Sequence, residues 1–160
     1  MPPIICIVGK SGSGKTTLIE KLVPVLKRRG HRIGTVKHAL HGFEIDREGK
    51  DSWRHQHSGA DVVVLASPGK LAMVKTIHDD TLDGLVPYFS NMDLVIVEGY
   101  KHSSTSKIEV FRSEAHSAPL KMENGQRIAF VSDDEIDCRE PRFGLEDIEP
   151  LADFIEMNCL

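Results

Sequence analysis

Two kinds of apolar pattern alternate along the chain. Ile4-Ile5-Cys6-Ile7-Val8, Val62-Val63-Val64-Leu65, Leu94-Val95-Ile96-Val97 and Ile128-Ala129-Phe130-Val131 are apolar without interruption, as strands buried on both faces of a sheet must be. After the first run, Leu18, Ile19, Leu22, Val23 and Leu26 recur at helical spacing with Glu20, Lys21, Lys27 and Arg28 opposite them. This predicts an amphipathic helix that stops at Gly30 and is kinked by Pro24, which removes one backbone donor. Residues 32–37 read as a second strand, 38–50 as a turn-rich segment and 51–58 as a short helix. Ser67-Pro68-Gly69 is a turn from which residues 71–77 return antiparallel. Residues 81–89 resemble a helix, 107–112 alternate as a strand does, and 146–157 close the chain as a helix. Strands alternating with helices predict a three-layer α/β/α fold, its sheet mostly parallel with one antiparallel hairpin.

A length of 160 residues fits a single domain over 1–160. With 40% hydrophobic and 28% charged residues, the composition is that of an ordinary globular protein. A net charge of −4 supplies no field for nucleic acid. The one basic cluster, Lys27-Arg28-Arg29 with Arg32, closes the first predicted helix, where cations complement the helix dipole. No apolar run is long enough to span a bilayer, and the chain opens on a strand, which predicts a cytoplasmic protein. Cys6, Cys138 and Cys159 form no C-x-x-C pair, so neither a disulfide nor a cysteine metal site is expected.

The first strand runs into Gly9-Lys10-Ser11-Gly12-Ser13-Gly14-Lys15-Thr16-Thr17, a complete G-x-x-x-x-G-K-[ST] phosphate-binding loop in its strand-loop-helix setting. The pattern assigns the chain to the P-loop NTPase fold. The glycines let the backbone turn tightly and bring successive N–H groups against phosphate oxygens. Those amides and the positive end of the following helix form the anion site. Lys15 supplies a mobile charge for the β- and γ-phosphates, and the Thr16 hydroxyl is placed to ligate Mg²⁺.

Ligands of a parallel sheet gather at the carboxyl ends of its strands. Glu98, directly after Leu94-Val95-Ile96-Val97, is therefore the acid expected to hold Mg²⁺ or orient an attacking water. Asp93 begins the same strand, roughly 16 Å away at about 3.3 Å per residue, and is read as a strand-start residue. Lys37 ends the second predicted strand and points to the same edge. Beyond it, Asp46 and Asp51 are metal or water-shell candidates, and Lys37, Lys50 and Arg54 could meet phosphate or an anionic second ligand. A histidine metal site from His38, His41, His55 and His57 is disfavoured, because the last pair is spaced i, i+2 and shares no helix face.

The phosphate loop, Lys37-His38 with Gly49-Lys50-Asp51-Ser52, Glu98-Gly99-Tyr100-Lys101, and Lys107-Ile108-Glu109 with Phe111-Arg112 together resemble the MobB family of molybdopterin-guanine dinucleotide biosynthesis. The resemblance covers nearly the whole chain. It implies a GTP-binding protein with weak GTPase activity, related to dimeric metallo-cofactor maturation GTPases, that assists the partner enzyme MobA when GMP is attached to molybdopterin. It implies that Gly12, Ser13, Gly14, Lys15, Thr16 and Thr17 carry the nucleotide, with Glu98 and Asp46 near the metal. Leu40 stands where the family often has another histidine, and Glu44 replaces a usual aspartate.

Lys10 resembles the signature lysine of MinD-like dimeric ATPases, which reaches the partner subunit's nucleotide; an exposed lysine with no such role is the plainer reading. The guanine-reading tetrapeptide N-K-x-D is absent. Asp133, just beyond the strand over 128–131, could accept from the guanine N1–H and N2–H₂ edge. Three functions stay open. One is a GTP-binding accessory protein whose partner surface includes residues 102–106, Lys101, Lys107 and Arg112. The second is a small-molecule kinase or ligase using Lys37, Arg47 and Arg54, and the third is an ATP-driven dimer switch.

Overall fold

The apolar run Ile4–Val8 forms β1, the inner strand of a six-stranded sheet. Its order is β2 (Ile33–Lys37), β5 (Leu94–Glu98), β1, β6 (Lys107–Val110), β7 (Arg127–Val131) and β8 (Arg142–Phe143). The computed structural model describes residues 1–39, 42–122 and 126–160. Every pairing in this sheet is parallel. Continuous apolar strands fit this arrangement, since both faces of a parallel sheet are covered.

Helices α1 (Lys15–Arg28) and α4 (Ile148–Cys159) lie on one face. Leu18, Leu22 and Leu26 of α1 and Leu151 and Ile155 of α4 pack there with Ile5, Ile7, Ile96, Ile108 and Val131 in one buried core. The C-terminal end of α1 is clamped to α4 by Arg29, which donates to Glu149, Asp153 and Glu156 at 2.6–2.7 Å. The helix runs unbroken through Pro24. That residue is exposed, so the carbonyl left without a donor lies on the wet side.

The opposite face has a thin third layer. At its β2 edge the 3₁₀ turn Val86–Phe89 covers Gly34, where an added Cβ would lie 2.5 Å from the Phe89 ring. This turn follows the four-residue helix α3 (Leu82–Leu85), so the helix expected over 81–89 is split in two. Elsewhere irregular segments cover that face and bury Cys6, whose Sγ lies 3.8 Å from the Ser103 hydroxyl. All three cysteines are free thiols.

The chain divides into two compact units, residues 1–38 with 85–160, and residues 39–84. The second unit holds α2 (Asp51–His57) and an antiparallel hairpin, β3 (Val62–Ser67) and β4 (Lys70–Lys75), joined by Pro68-Gly69. The hairpin is a sheet of its own. Its register places Val62, Val64, Ala66, Leu71 and Met73 on one face, and all five are exposed.

Asp93 does what a strand-start acid should. It accepts from the Arg32 backbone N–H and guanidinium at 2.7 Å, bracketing the starts of β2 and β5. The Arg32 hydrogen bonds hold its carboxyl down at about 2. A carboxyl lowered by folding stabilises the fold above its unfolded pKa and loses that contribution as pH falls through the folded one. Asp93→Asn should therefore be less stable than the wild type at neutral pH, with the gap narrowing between about pH 4 and pH 2. Thermal unfolding of both proteins across that range checks this, and a gap independent of pH would contradict it.

Candidate phosphate-loop site

The loop of residues 9–14 joins β1 to α1 at the carboxyl edge of the sheet, beside the point where the chain's connections diverge to β2 on one side and β6 on the other. Gly9 is fixed by close approach: a Cβ there would meet the Val110 carbonyl oxygen at 2.4 Å. Gly14 caps α1 with φ of 95°, a left-handed conformation open to glycine at little cost. No side chain caps α1 and none of the helix's own acids lies in its first turn.

Ser13 is 1% exposed, and its Oγ has no hydrogen-bond partner among the described residues. A buried hydroxyl left so costs about 1–3 kcal/mol. A phosphate oxygen cradled by the loop is the kind of group that would satisfy it, so these residues fit a bound phosphate. The Lys15 ammonium folds back to donate to the Lys10 carbonyl at 2.9 Å. Burial lowers its pKa, opposed by the nearby Glu98 carboxylate and aided by Lys37.

Glu98 ends β5 level with Ile7 of β1 and Lys37 of β2. One carboxylate oxygen accepts from the Thr16 hydroxyl at 2.9 Å, and the other lies 3.5 Å from the Lys37 ammonium. The structure thus brings Lys15, Thr16, Lys37 and Glu98 together. Next to them the His38 and Tyr100 rings stack with centroids 4.1 Å apart. Tyr100 adopts φ of 52°, unique among the described non-glycine residues, at a cost of order 1–3 kcal/mol.

Asp46, Lys50 and Asp51 belong to the second unit, where with Arg47, Ser52 and His55 they border a cavity of about 710 Å³ against β3. Arg54 is exposed on α2. Asp133, beyond β7, accepts from the Leu145 amide at 2.8 Å and so ties β7 to the chain entering α4. The described residues contain no cluster of three or more His, Cys, Asp or Glu that could hold a metal, and His41, like Leu40, lies outside them.

Lys107 corrects an expectation. It is fully buried rather than on a partner surface. Its ammonium donates to the Ser103 carbonyl, to the Thr105 carbonyl at 2.9 Å and to Gln126 Oε1 at 3.4 Å. The cation fastens the loop between β5 and β6 to the face of the sheet. Arg112 is paired with Glu114 at 2.8 Å, and Lys101 is exposed.

Sequence reasoning missed the other side of the loop. Buried Glu109 accepts from the Leu120 amide at 2.6 Å and from Arg127 at 2.8 Å, while burial pushes its carboxyl up. This holds residues 112–120 against the phosphate loop. There His116 Nε2 meets the Ser11 carbonyl at 2.6 Å and Lys10 donates to the Ala118 carbonyl at 2.8 Å.

A parallel α/β sheet with a glycine-rich loop between an inner strand and its helix defines a protein of the phosphate-loop class. Residues 4–133 match the family model MobB, molybdopterin guanine dinucleotide synthesis protein B. The chain is 38% identical over 157 residues to the molybdopterin-guanine dinucleotide biosynthesis adapter protein of Haemophilus influenzae, covering 96% of this chain and 88% of that one. It is 36% identical over 163 residues to the adapter protein of Escherichia coli, covering 97% and 92%. Among solved structures, Bacillus subtilis MobB superposes with a TM-score of 0.80 at 28% identity, covering 99% and 98%. A crystal structure of molybdopterin-guanine biosynthesis protein B superposes with 0.76 at 34% identity, covering 96% and 98%. The chain belongs to the MobB family.

Lys107→Met keeps the aliphatic stem and leaves two part-buried carbonyls without their donor. It should cost about 1–3 kcal/mol of stability in urea unfolding, and an unchanged midpoint would show that the ammonium does not hold the loop.

Proposed function

We propose that this chain is a GTP-binding adapter of molybdopterin-guanine dinucleotide biosynthesis, at most a weak GTPase, that assists a MobA-type guanylyltransferase in attaching GMP to molybdopterin. The observation that carries the nucleotide half is the phosphate loop itself: an α1 N-terminus without an acid or cap of its own, a buried orphan hydroxyl at Ser13, and Thr16 held against Glu98. The names of the relatives, adapter proteins of that synthesis, carry the rest.

The loop amides from Gly9 to Thr17 and the Ser13 hydroxyl hold phosphate oxygens, and Lys15 leaves the Lys10 carbonyl to reach them. Thr16 and Glu98 would hold Mg²⁺, with Asp46 as a further candidate; the ion neutralises charge on the phosphates. Glu98 orients water within the site. The Asp133 carboxylate reads the guanine edge. In the groove that Asp46 and Asp51 also border, the Arg47 and Lys50 cations and the Ser52 hydroxyl would meet an anionic, molybdopterin-type ligand. Lys101 and Arg112 remain as partner contacts. The exposed apolar face of β3 and β4 supports a homodimer, which would withdraw it from water. No helix among the described residues is long and apolar enough to cross a membrane. Lys10 is engaged within its own chain, so a trans role would require it to leave Ala118.

Calorimetric titration with GTP and with ATP, each with Mg²⁺, should show selective GTP binding. Lys15→Ala should weaken it at least about tenfold, or 1.4 kcal/mol. Selective ATP binding would overturn the reading and favour a kinase or an ATP-driven dimer switch. Equal GTP affinity in Asp133→Ala would remove that residue from base recognition.

A further inference from the structure

We propose that Lys37 is a built-in counter-charge for the metal position, pairing with Glu98 when the site lacks a divalent cation and giving way when one binds. The inference rests on the Mg-nucleotide reading above. Three observations carry it. The register of β2 on β5 sets Lys37 directly opposite Glu98, so the pairing follows from the sheet and not from a chance rotamer. The Lys37 ammonium lies 3.5 Å from one Glu98 oxygen while Thr16, the residue whose hydroxyl the loop motif assigns to the metal, donates to the other. Finally, the Glu98 side chain is 14% exposed and that of Lys37 67%, so the acid is fixed in the site and the cation is free to leave into water.

The arrangement answers an electrostatic problem. A largely buried carboxylate without a counter-charge is costly; Lys15 adds its charge to the field at Glu98 but directs its ammonium to the Lys10 carbonyl, so Lys37 is the cation paired directly with the carboxylate. Lys37 therefore neutralises Glu98 in the metal-free protein and keeps it hydrogen-bonded to Thr16. A divalent ion at Thr16 and Glu98 makes that ammonium redundant and repels it. Lys37 thus competes with the metal: it keeps the empty site in order and lowers the affinity of the filled one. The side chain acts through Glu98 and is a positioning residue.

The test is Mg²⁺ titration, by calorimetry, of wild type, Lys37→Met and Lys37→Arg, each preloaded with a non-hydrolysable GTP analogue in EDTA-treated buffer. An ion pair whose cation is exposed in this way corresponds to roughly a two- to fivefold effect. Lys37→Met should bind Mg²⁺ more tightly by that factor, with the difference shrinking at high salt. Lys37→Arg, which keeps the charge, should stay near wild type. Equal Mg²⁺ affinity in all three proteins overturns the inference. Weaker affinity in Lys37→Met also overturns it, since Lys37 would then support the metal instead of competing with it. Failure of the wild type to take up the analogue at all, in a protein with normal unfolding, overturns the nucleotide reading itself and is separable from both.

Discussion

The hydrogen bonding of β1 to β5 on one side and to β6 on the other is the constraint from which the site follows. Pairing Ile7 with Glu98 sets the acid one level below the phosphate loop, within reach of the first turn of α1. Pairing Val8 with Glu109 brings the end of β6 so near that only glycine fits at position 9. Side chains alternate between faces along a strand, so a slip of one residue in the β1–β5 pairing would carry Glu98 to the wrong face. The geometry of Thr16 and Glu98 is in this sense a property of the sheet rather than of the loop.

The loop is also held from both flanks by groups of different chemistry. On the β5 side the anchors are charges and a hydroxyl: Glu98, Lys37 and Thr16. On the β6 side they are backbone carbonyls, those of Ser11 and Ala118, met by His116 and Lys10. Buried Glu109 stands behind the second set, and without the partly exposed Arg127 its carboxylate would be an uncompensated buried charge. Between the flanks lies the Ser13 hydroxyl, buried and without a hydrogen-bond partner among the described residues.

Much of this was legible in the sequence, for a physical reason. Continuous apolar runs predict strands buried on both faces, which holds for β1, β5 and β7 but not for the mostly exposed β3, and a complete phosphate loop demands a strand before it and a helix after it, so β1, β5, β7, α1 and the position of Glu98 could be read directly. Charged positions in an alternating strand look solvent-facing, and this is where the reading failed. Lys107 and Glu109 lie on a face that is covered only by segments folding back from elsewhere in the chain, and periodicity within one strand carries no information about such cover. The contacts of His116 and Lys10 are hydrogen bonds to carbonyls more than a hundred residues away, and a carbonyl has no letter in the sequence. The hairpin of β3 and β4 was recognisable, but nothing in its alternation says that it forms a sheet of its own.

The buried lysine at the start of β6 has a consequence for chemistry performed on the protein. An ammonium with no exposed surface, its protons donated to Ser103, Thr105 and Gln126, offers no lone pair to an electrophile while the loop is closed. Acylation of Lys107 must therefore pass through molecules in which residues 99–106 have lifted from the sheet. Where closing is faster than the reagent, its rate of labelling relative to an exposed lysine such as Lys101 counts the fraction of molecules open at any instant. The side chain is a native gauge of how firmly the crossover above β1 is shut.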